Sequence, residues 1–246
     1  AQMFCDFFRP EECAVVLGGP EVAREVTGLP LDHLLFTGST QVGRLVARAA
    51  AENLVPTTLE LGGKSPVLVH ESYSIERAAS RIAMGKTFNG GQSCVAPDYA
   101  LVPRGKAERL AEKLKGFILK QHPAGQAFTS MASERAFQRM EELVADASSK
   151  GARVIETFKG AAGARVFGPV VLLDVSDEMR VMQEEIFGPI LPVVTYEKLE
   201  EAVASINARP KALACYYFDD DSDRIDDLVR RVTSGGVSIN DTMMHY

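Results

Sequence analysis

The chain has 246 residues, 46% of them hydrophobic and 24% charged, with a formal net charge of −6. That length accommodates one large domain or two modest ones around a buried core. The acidic balance excludes a non-specific nucleic-acid binder, which needs a basic face, but leaves room for a local basic patch that receives a phosphorylated cofactor.

In chain order, Ala14-Val15-Val16-Leu17 reads as a strand that ends at Gly18-Gly19-Pro20. A second strand is predicted over 34–37. Gly38-Ser39-Thr40 then opens a helix with Val42, Leu45, Val46 and Ala49 at helical spacing. Residues 57–61 and 67–69 read as further strands. Ser74 is an N-cap for a helix from Ile75 to about Phe88, which Asn89-Gly90-Gly91 ends because glycine tolerates the left-handed backbone. Helices are predicted at 106–120 and 134–150, and strands at 154–156, 170–173, 190–195, 212–218 and 237–240. Helices at 199–207 and 223–232 separate the later strands. Continuous apolar runs divided by helices imply a buried parallel sheet and an α/β fold.

No apolar run reaches the roughly 18 residues that a membrane-spanning helix needs. The segment Ala1-Gln2-Met3-Phe4-Cys5-Asp6 has no basic stretch leading into an apolar core, so it does not read as a signal peptide. The absence of an initiator methionine implies processing or a boundary within a longer chain. Cys5, Cys13, Cys94 and Cys215 are scattered, without a Cys-x-x-Cys pair. That pattern argues against a disulfide framework or a structural zinc and fits a reducing cytoplasm. His33, His70, His122 and His245 are far apart in sequence, so no metal site is expected.

Four segments have the residue types that chemistry needs. Cys94 lies in Asn89-Gly90-Gly91-Gln92-Ser93-Cys94, a glycine-rich turn directly after a predicted helix. A reactive thiolate needs exposure and a positive local potential, whereas an ordinary free cysteine is a small buried hydrophobe. Cys5, Cys13 and Cys215 lie beside apolar residues and read as core. Glu60 stands between Leu59 and Leu61, ahead of Gly62-Gly63-Lys64. It is either a desolvated carboxylate with an upward-shifted pKa, suited to general-base work, or a solvent-facing position on an edge strand. Gly38-Ser39-Thr40-Gln41-Val42-Gly43 follows a strand and opens a helix, where free N–H groups suit a phosphate. Taken alone, an ordinary strand-to-helix turn is the favoured explanation, since short glycine motifs are weak. Glu184-Glu185-Ile186-Phe187-Gly188-Pro189 offers carboxylates for sugar hydroxyls and a ring for packing, or is merely a helix end and turn.

Taken together, these segments resemble the aldehyde dehydrogenase superfamily. Phe36-Thr37-Gly38-Ser39-Thr40, Leu59-Glu60-Leu61-Gly62-Gly63-Lys64-Ser65-Pro66, Gly91-Gln92-Ser93-Cys94 and Glu184-Glu185-Ile186-Phe187-Gly188-Pro189 occur in the family's order, and the gap from Glu60 to Cys94 is similar to the family's. The resemblance covers nearly the whole chain. It implies part of a Rossmann-like NAD(P)-binding domain over 1–62 and an α/β catalytic domain with a parallel sheet over 63–246. It further implies Cys94 as nucleophile and Glu60 as base. Gly38 and Ser39 would lie near the nicotinamide and phosphates of NAD or NADP, Glu185 on the nicotinamide ribose and Phe187 beside it. The implied reaction takes an aldehyde through a cysteine thiohemiacetal and a thioester to the acid. Cys94-Val95-Ala96-Pro97-Asp98-Tyr99, with Leu101-Val102 following, looks most like the branch acting on coniferyl aldehyde and other aromatic or long-chain aldehydes.

The chain also departs from the family pattern. It lacks the Pro-Trp-Asn type segment with the oxyanion asparagine, and it contains no Trp. The Lys-Pro-Ser-Glu type segment and the final glycine-rich segment are missing too. Asn89 belongs to another motif and does not replace the oxyanion asparagine. The expectation is therefore a fragment, weak or inactive alone, of an enzyme that works as a cytoplasmic dimer. The rival readings are an enzyme that passes its thioester to coenzyme A and a non-catalytic protein on the same scaffold. Retention of Glu60 disfavours the first, and retention of Cys94 with Glu60 disfavours the second.

Overall fold

Strand pairing falls into two separate sheets, one in each of two units, Ala1–Leu61 and Gly62–Tyr246. The structure, a computed structural model, describes residues 2–160 and 163–245, without the side chains of Gln2, Cys5 and Ala124. The core reading of Cys5 therefore lies outside the described part.

The first unit contains α1 (Gln2–Cys5), α2 (Pro20–Thr27), β1 (Leu34–Gly38), α3 (Thr40–Glu52) and β2 (Thr57–Leu61). β1 and β2 pair in parallel, from Leu34 opposite Thr57 to Gly38 opposite Leu61. Leu34, Val46, Ala50 and Val55 form its small core, with Phe36 and Leu59 packed against it. Val42 and Leu45, predicted to share the apolar face of α3, are exposed, because two strands cover only part of the helix. The strand predicted at 14–17 is not formed. Val15, Val16 and Leu17 are exposed, and that run has no ladder partner among the described residues, without which extended backbone is not a strand.

The second unit begins with β3 (Pro66–Val69), α4 (Ile75–Thr87), β4 (Tyr99–Pro103), α5 (Ala107–Gln121), α6 (Glu134–Ser149), β5 (Arg153–Glu156) and β6 (Val170–Leu173). It continues with α7 (Arg180–Gln183), β7 (Ile190–Tyr196), α8 (Leu199–Asn207), β8 (Ala214–Phe218), α9 (Ser222–Arg231) and β9 (Gly236–Ile239). The strand order is β5-β6-β7-β4-β3-β8-β9. Every pairing is parallel except β5 with β6, so the expected parallel sheet of an α/β fold is present with one antiparallel edge strand. The antiparallel strand sits at an edge, where it needs no crossover helix.

Alternation along the strands makes two cores. Val67, Val69, Ala100, Val102, Tyr216 and Phe218 face α4 and α5. Leu68, Leu101, Cys215 and Tyr217 face α6, α8 and α9. Side chains two apart share one face, so a sheet buried on both sides reads as unbroken apolar runs. No helix among the described residues is long and apolar enough to cross a membrane.

Candidate active site

In the second unit, three of the singled-out segments enter three neighbouring strands. Gly62-Gly63-Lys64 leads into β3, the Cys94 turn into β4, and Glu184 to Pro189 into β7. β7, β4 and β3 are adjacent and parallel, so these entries lie side by side at one end of the sheet. It is the amino end, whereas open α/β sheets usually bind ligands beyond the carboxyl ends of their strands.

Cys94 is exposed on its turn. α4 ends at Thr87, after which Asn89, Gly90 and Gly91 take positive φ angles of 49°, 62° and 72°. A side chain on Gly91 would overlap the Gly188 carbonyl, so the two motifs touch through glycine. Buried Gln92 staples the turn. Its Nε2 donates to the Asn89 carbonyl at 3.1 Å and the Ser130 carbonyl at 3.2 Å, and its Oε1 accepts the Ala132 amide at 2.8 Å. The Tyr216 hydroxyl donates to the Val95 carbonyl from β8. The thiol thus sits on a backbone fixed from both sides.

Glu185 is partly buried, with its carboxylate where a side chain on Gly62 would stand. Burial and the nearby negative charge of Asp98 push its pKa up to about 7, against a hydrogen bond from the Gly63 amide and the charges of Arg139 and Lys64. Phe187 is exposed, with a positive φ of 49°. A carboxylate offers about four lone-pair positions. Among the described residues only the Gly63 amide donates to that of Glu185, so its remaining lone pairs can accept from hydroxyls such as those of a sugar.

Four further residues of this region escaped the sequence reading as functional groups. Asp98 and Lys64 form a buried ion pair, with Lys64 also donating to the Val181 and Glu184 carbonyls at 2.6 and 3.2 Å. Both stood inside quoted motifs, and the signal was there as two charges in apolar surroundings. Arg139, in the middle of α6, donates to the Glu185 and Ile186 carbonyls at 2.5 and 2.6 Å and to Glu184 Oε2 at 3.0 Å. Nothing in its helix marked it. Lys86 is buried and makes no hydrogen bond or ion pair among the described residues, and burial lowers its pKa to about 8.

The first unit holds the other candidates. Glu60 takes an exposed position of β2, between half-buried Leu59 and Leu61, so it matches the solvent-facing alternative. Gly38 ends β1. Ser39 caps α3, its Oγ accepting the Val42 amide at 3.3 Å. Among the described residues no group of three His, Cys, Asp or Glu side chains is placed to hold a metal ion.

The pattern that defines the Aldehyde dehydrogenase family matches residues 8–246. The chain belongs to the aldehyde dehydrogenase family. A probable coniferyl aldehyde dehydrogenase of Pseudomonas aeruginosa is 48% identical over 97% of this chain and 50% of its own length. The dog aldehyde dehydrogenase described as dimeric and NADP-preferring is 39% identical over 94% of the chain and 51% of its own length. Among solved structures of the family, the substrate-bound state of Staphylococcus aureus AldH superposes with a TM-score of 0.91 at 37% identity, covering 99% of this chain and 53% of that one. The chain spans about half the length of the curated aldehyde dehydrogenases it matches.

Proposed function

We propose that this chain carries the thiol chemistry of an NAD(P)-dependent aldehyde dehydrogenase acting on an aromatic aldehyde such as coniferyl aldehyde. The observation that carries the reading is the exposed Cys94, on a stapled turn beside the Glu185 segment at adjacent strand entries. Residues 1–62 are the carboxyl-terminal part of the cofactor-binding domain and 63–246 the catalytic domain. Gly38 and Ser39 face the nicotinamide and phosphates. Glu185 holds the nicotinamide ribose and Phe187 packs beside it.

In this reading the Cys94 thiolate adds to the aldehyde carbon. A C–S bond forms, and the carbonyl π pair moves to oxygen. The bound dinucleotide supplies the acceptor for the hydride. Loss of that hydride leaves an acyl group on Sγ as a thioester. Glu60, assigned by its place in the Leu-Glu-Leu-Gly-Gly-Lys motif, takes a proton from water as the water oxygen bonds to the acyl carbon. The C–S bond then breaks and Cys94 leaves as a thiolate. The substrate class follows Cys94-Val95-Ala96-Pro97-Asp98-Tyr99 and the similarity to the probable coniferyl aldehyde dehydrogenase of Pseudomonas aeruginosa. Dimeric assembly follows the name of the dog relative, and a cytoplasmic location follows the unpaired cysteines.

The test is NADH or NADPH formation from coniferaldehyde, with Cys94→Ser and Glu60→Gln alongside. Weak cofactor reduction by the chain alone, abolished by Cys94→Ser and confined by Glu60→Gln to a single acylation burst, is expected. Reduction unaffected by Cys94→Ser overturns the mechanism, and strong preference for small aliphatic aldehydes overturns the substrate class.

A further inference from the structure

Residues 184–186 are neither helix nor strand, so no ladder satisfies their backbone. The Glu184 amide donates to the Arg180 carbonyl at 3.1 Å, and side chains take the groups that follow. Lys64 donates to the Glu184 carbonyl, and Arg139 donates to the Glu185 and Ile186 carbonyls. The Ile186 amide donates to Asp98 Oδ1 at 2.8 Å. The second oxygen of Asp98 takes Lys64, whose other bonds go to the Val181 and Glu184 carbonyls. Asp98 is itself buried, four residues beyond Cys94, and its amide donates to the Ser65 carbonyl at 2.8 Å.

Asp98 therefore reaches all three strand entries. Its backbone belongs to the chain entering β4, and its amide bonds the chain entering β3. Oδ1 accepts the Ile186 amide of the segment entering β7, and Oδ2 pairs with Lys64 of the chain entering β3, which in turn donates to the Glu184 carbonyl. A mere charge partner for Lys64 would not spend an oxygen on a main-chain amide of that segment. We propose that Asp98 is a positioning residue, which ties the strand behind the Cys94 turn to the 184–186 segment and so fixes the Glu185 carboxylate over Gly62. Its consequence for cofactor binding presupposes the assignment of Glu185 made above. The geometric role does not.

Removing Asp98 alone strands the buried Lys64 charge and risks unfolding. The comparison is therefore made in a Lys64→Met background, between Asp98→Asn, which keeps an acceptor for the Ile186 amide, and Asp98→Ala, which does not. Amide hydrogen exchange of the full chain is followed by NMR, with the Leu101 and Val193 amides as references for the sheet. Asp98→Ala is expected to speed exchange at Ile186 by about tenfold or more relative to Leu101 and Val193, while Asp98→Asn preserves most of the protection. Equal loss at all three amides, or no difference between the Asn and Ala variants, overturns the positioning role. NADH and NADPH fluorescence titrations accompany the exchange data. Weaker dinucleotide binding by the Ala than the Asn variant is expected. Equal binding despite lost Ile186 protection overturns the link to Glu185. Failure of the unsubstituted chain to bind either dinucleotide counts against the cofactor assignment, and the exchange comparison still decides the role of Asp98.

Discussion

The Glu185 carboxylate occupies the space that a side chain on Gly62 would need. The obstructing atoms are the carboxylate itself, held through a segment whose backbone Lys64, Asp98 and Arg139 pin. Gly62→Ala must therefore push the Glu185 head group aside rather than find slack. About tenfold weaker binding of NADH or NADPH is expected, because small misplacements of a positioning group weaken ligand contacts strongly. Alkylation of Cys94 should stay close to the unsubstituted rate. A fluorescence titration showing unchanged affinity would remove Glu185 from the cofactor site.

Glu185 also sets a pH dependence. Burial, joined by the charge of Asp98, raises its pKa to about 7. Ribose hydroxyls donating to the carboxylate favour its ionised form. Dinucleotide affinity should then rise as pH increases through about 7 and level off above it. Glu185→Gln should flatten the curve between pH 6 and pH 8, roughly one unit either side of that midpoint. Fluorescence titrations across that range check the sign. Tightening toward acid would contradict it.

Lys86 predicts a stability profile of the opposite origin. Its ammonium is buried, and burial lowers the pKa from 10.5 to about 8 despite the favourable charges of Asp98 and Glu185. Between those values the unfolded chain binds the additional proton, so stability rises with pH through that window. Below about pH 8 the buried charge costs on the order of 1–3 kcal/mol. Lys86→Met should raise stability at pH 7 and remove the rise between pH 8 and 10. Urea unfolding at pH 7, 8, 9 and 10 measures both effects. A less stable Met variant would mean that the ammonium has a stabilising partner.

The sequence revealed the second unit better than the first. Runs such as Val170 to Leu173 are buried on both faces of the sheet, and continuous apolarity is the direct trace of that environment. Ser74 announced its helix because a capping oxygen acts within one turn. β4 escaped prediction because Tyr99–Pro103 follows Pro97-Asp98 directly, and that pair reads as the close of a turn. The run 14–17 had the composition of a strand without a partner, and composition cannot supply one. Of the site, Cys94 and Glu185 were legible as residue types in motifs. Arg139 was not, since its bonds join residues 45 to 47 positions apart. Long-range contacts of that kind leave no local periodicity.

The cysteines give the last prediction. Cys94 is exposed on a loop, whereas Cys215 lies within β8, fully buried, with its pKa pushed up to about 12 by desolvation. A thiol reacts as the thiolate, so access and ionisation act together to protect Cys215. Cys13 is only partly exposed and stands outside the stapled turn. Iodoacetamide at pH 8 should therefore carbamidomethylate Cys94 and leave Cys215 unmodified, at least about a hundredfold slower, until the chain unfolds. Peptide mapping by mass spectrometry reads each site separately. Bound NAD or NADP should slow labelling of Cys94 if the dinucleotide covers the turn, with no effect on Cys13. Early labelling of Cys215 would mean that the sheet opens at β8. Protection of Cys94 without cofactor would mean that the turn is covered in solution, and the nucleophile assignment would then fail on access.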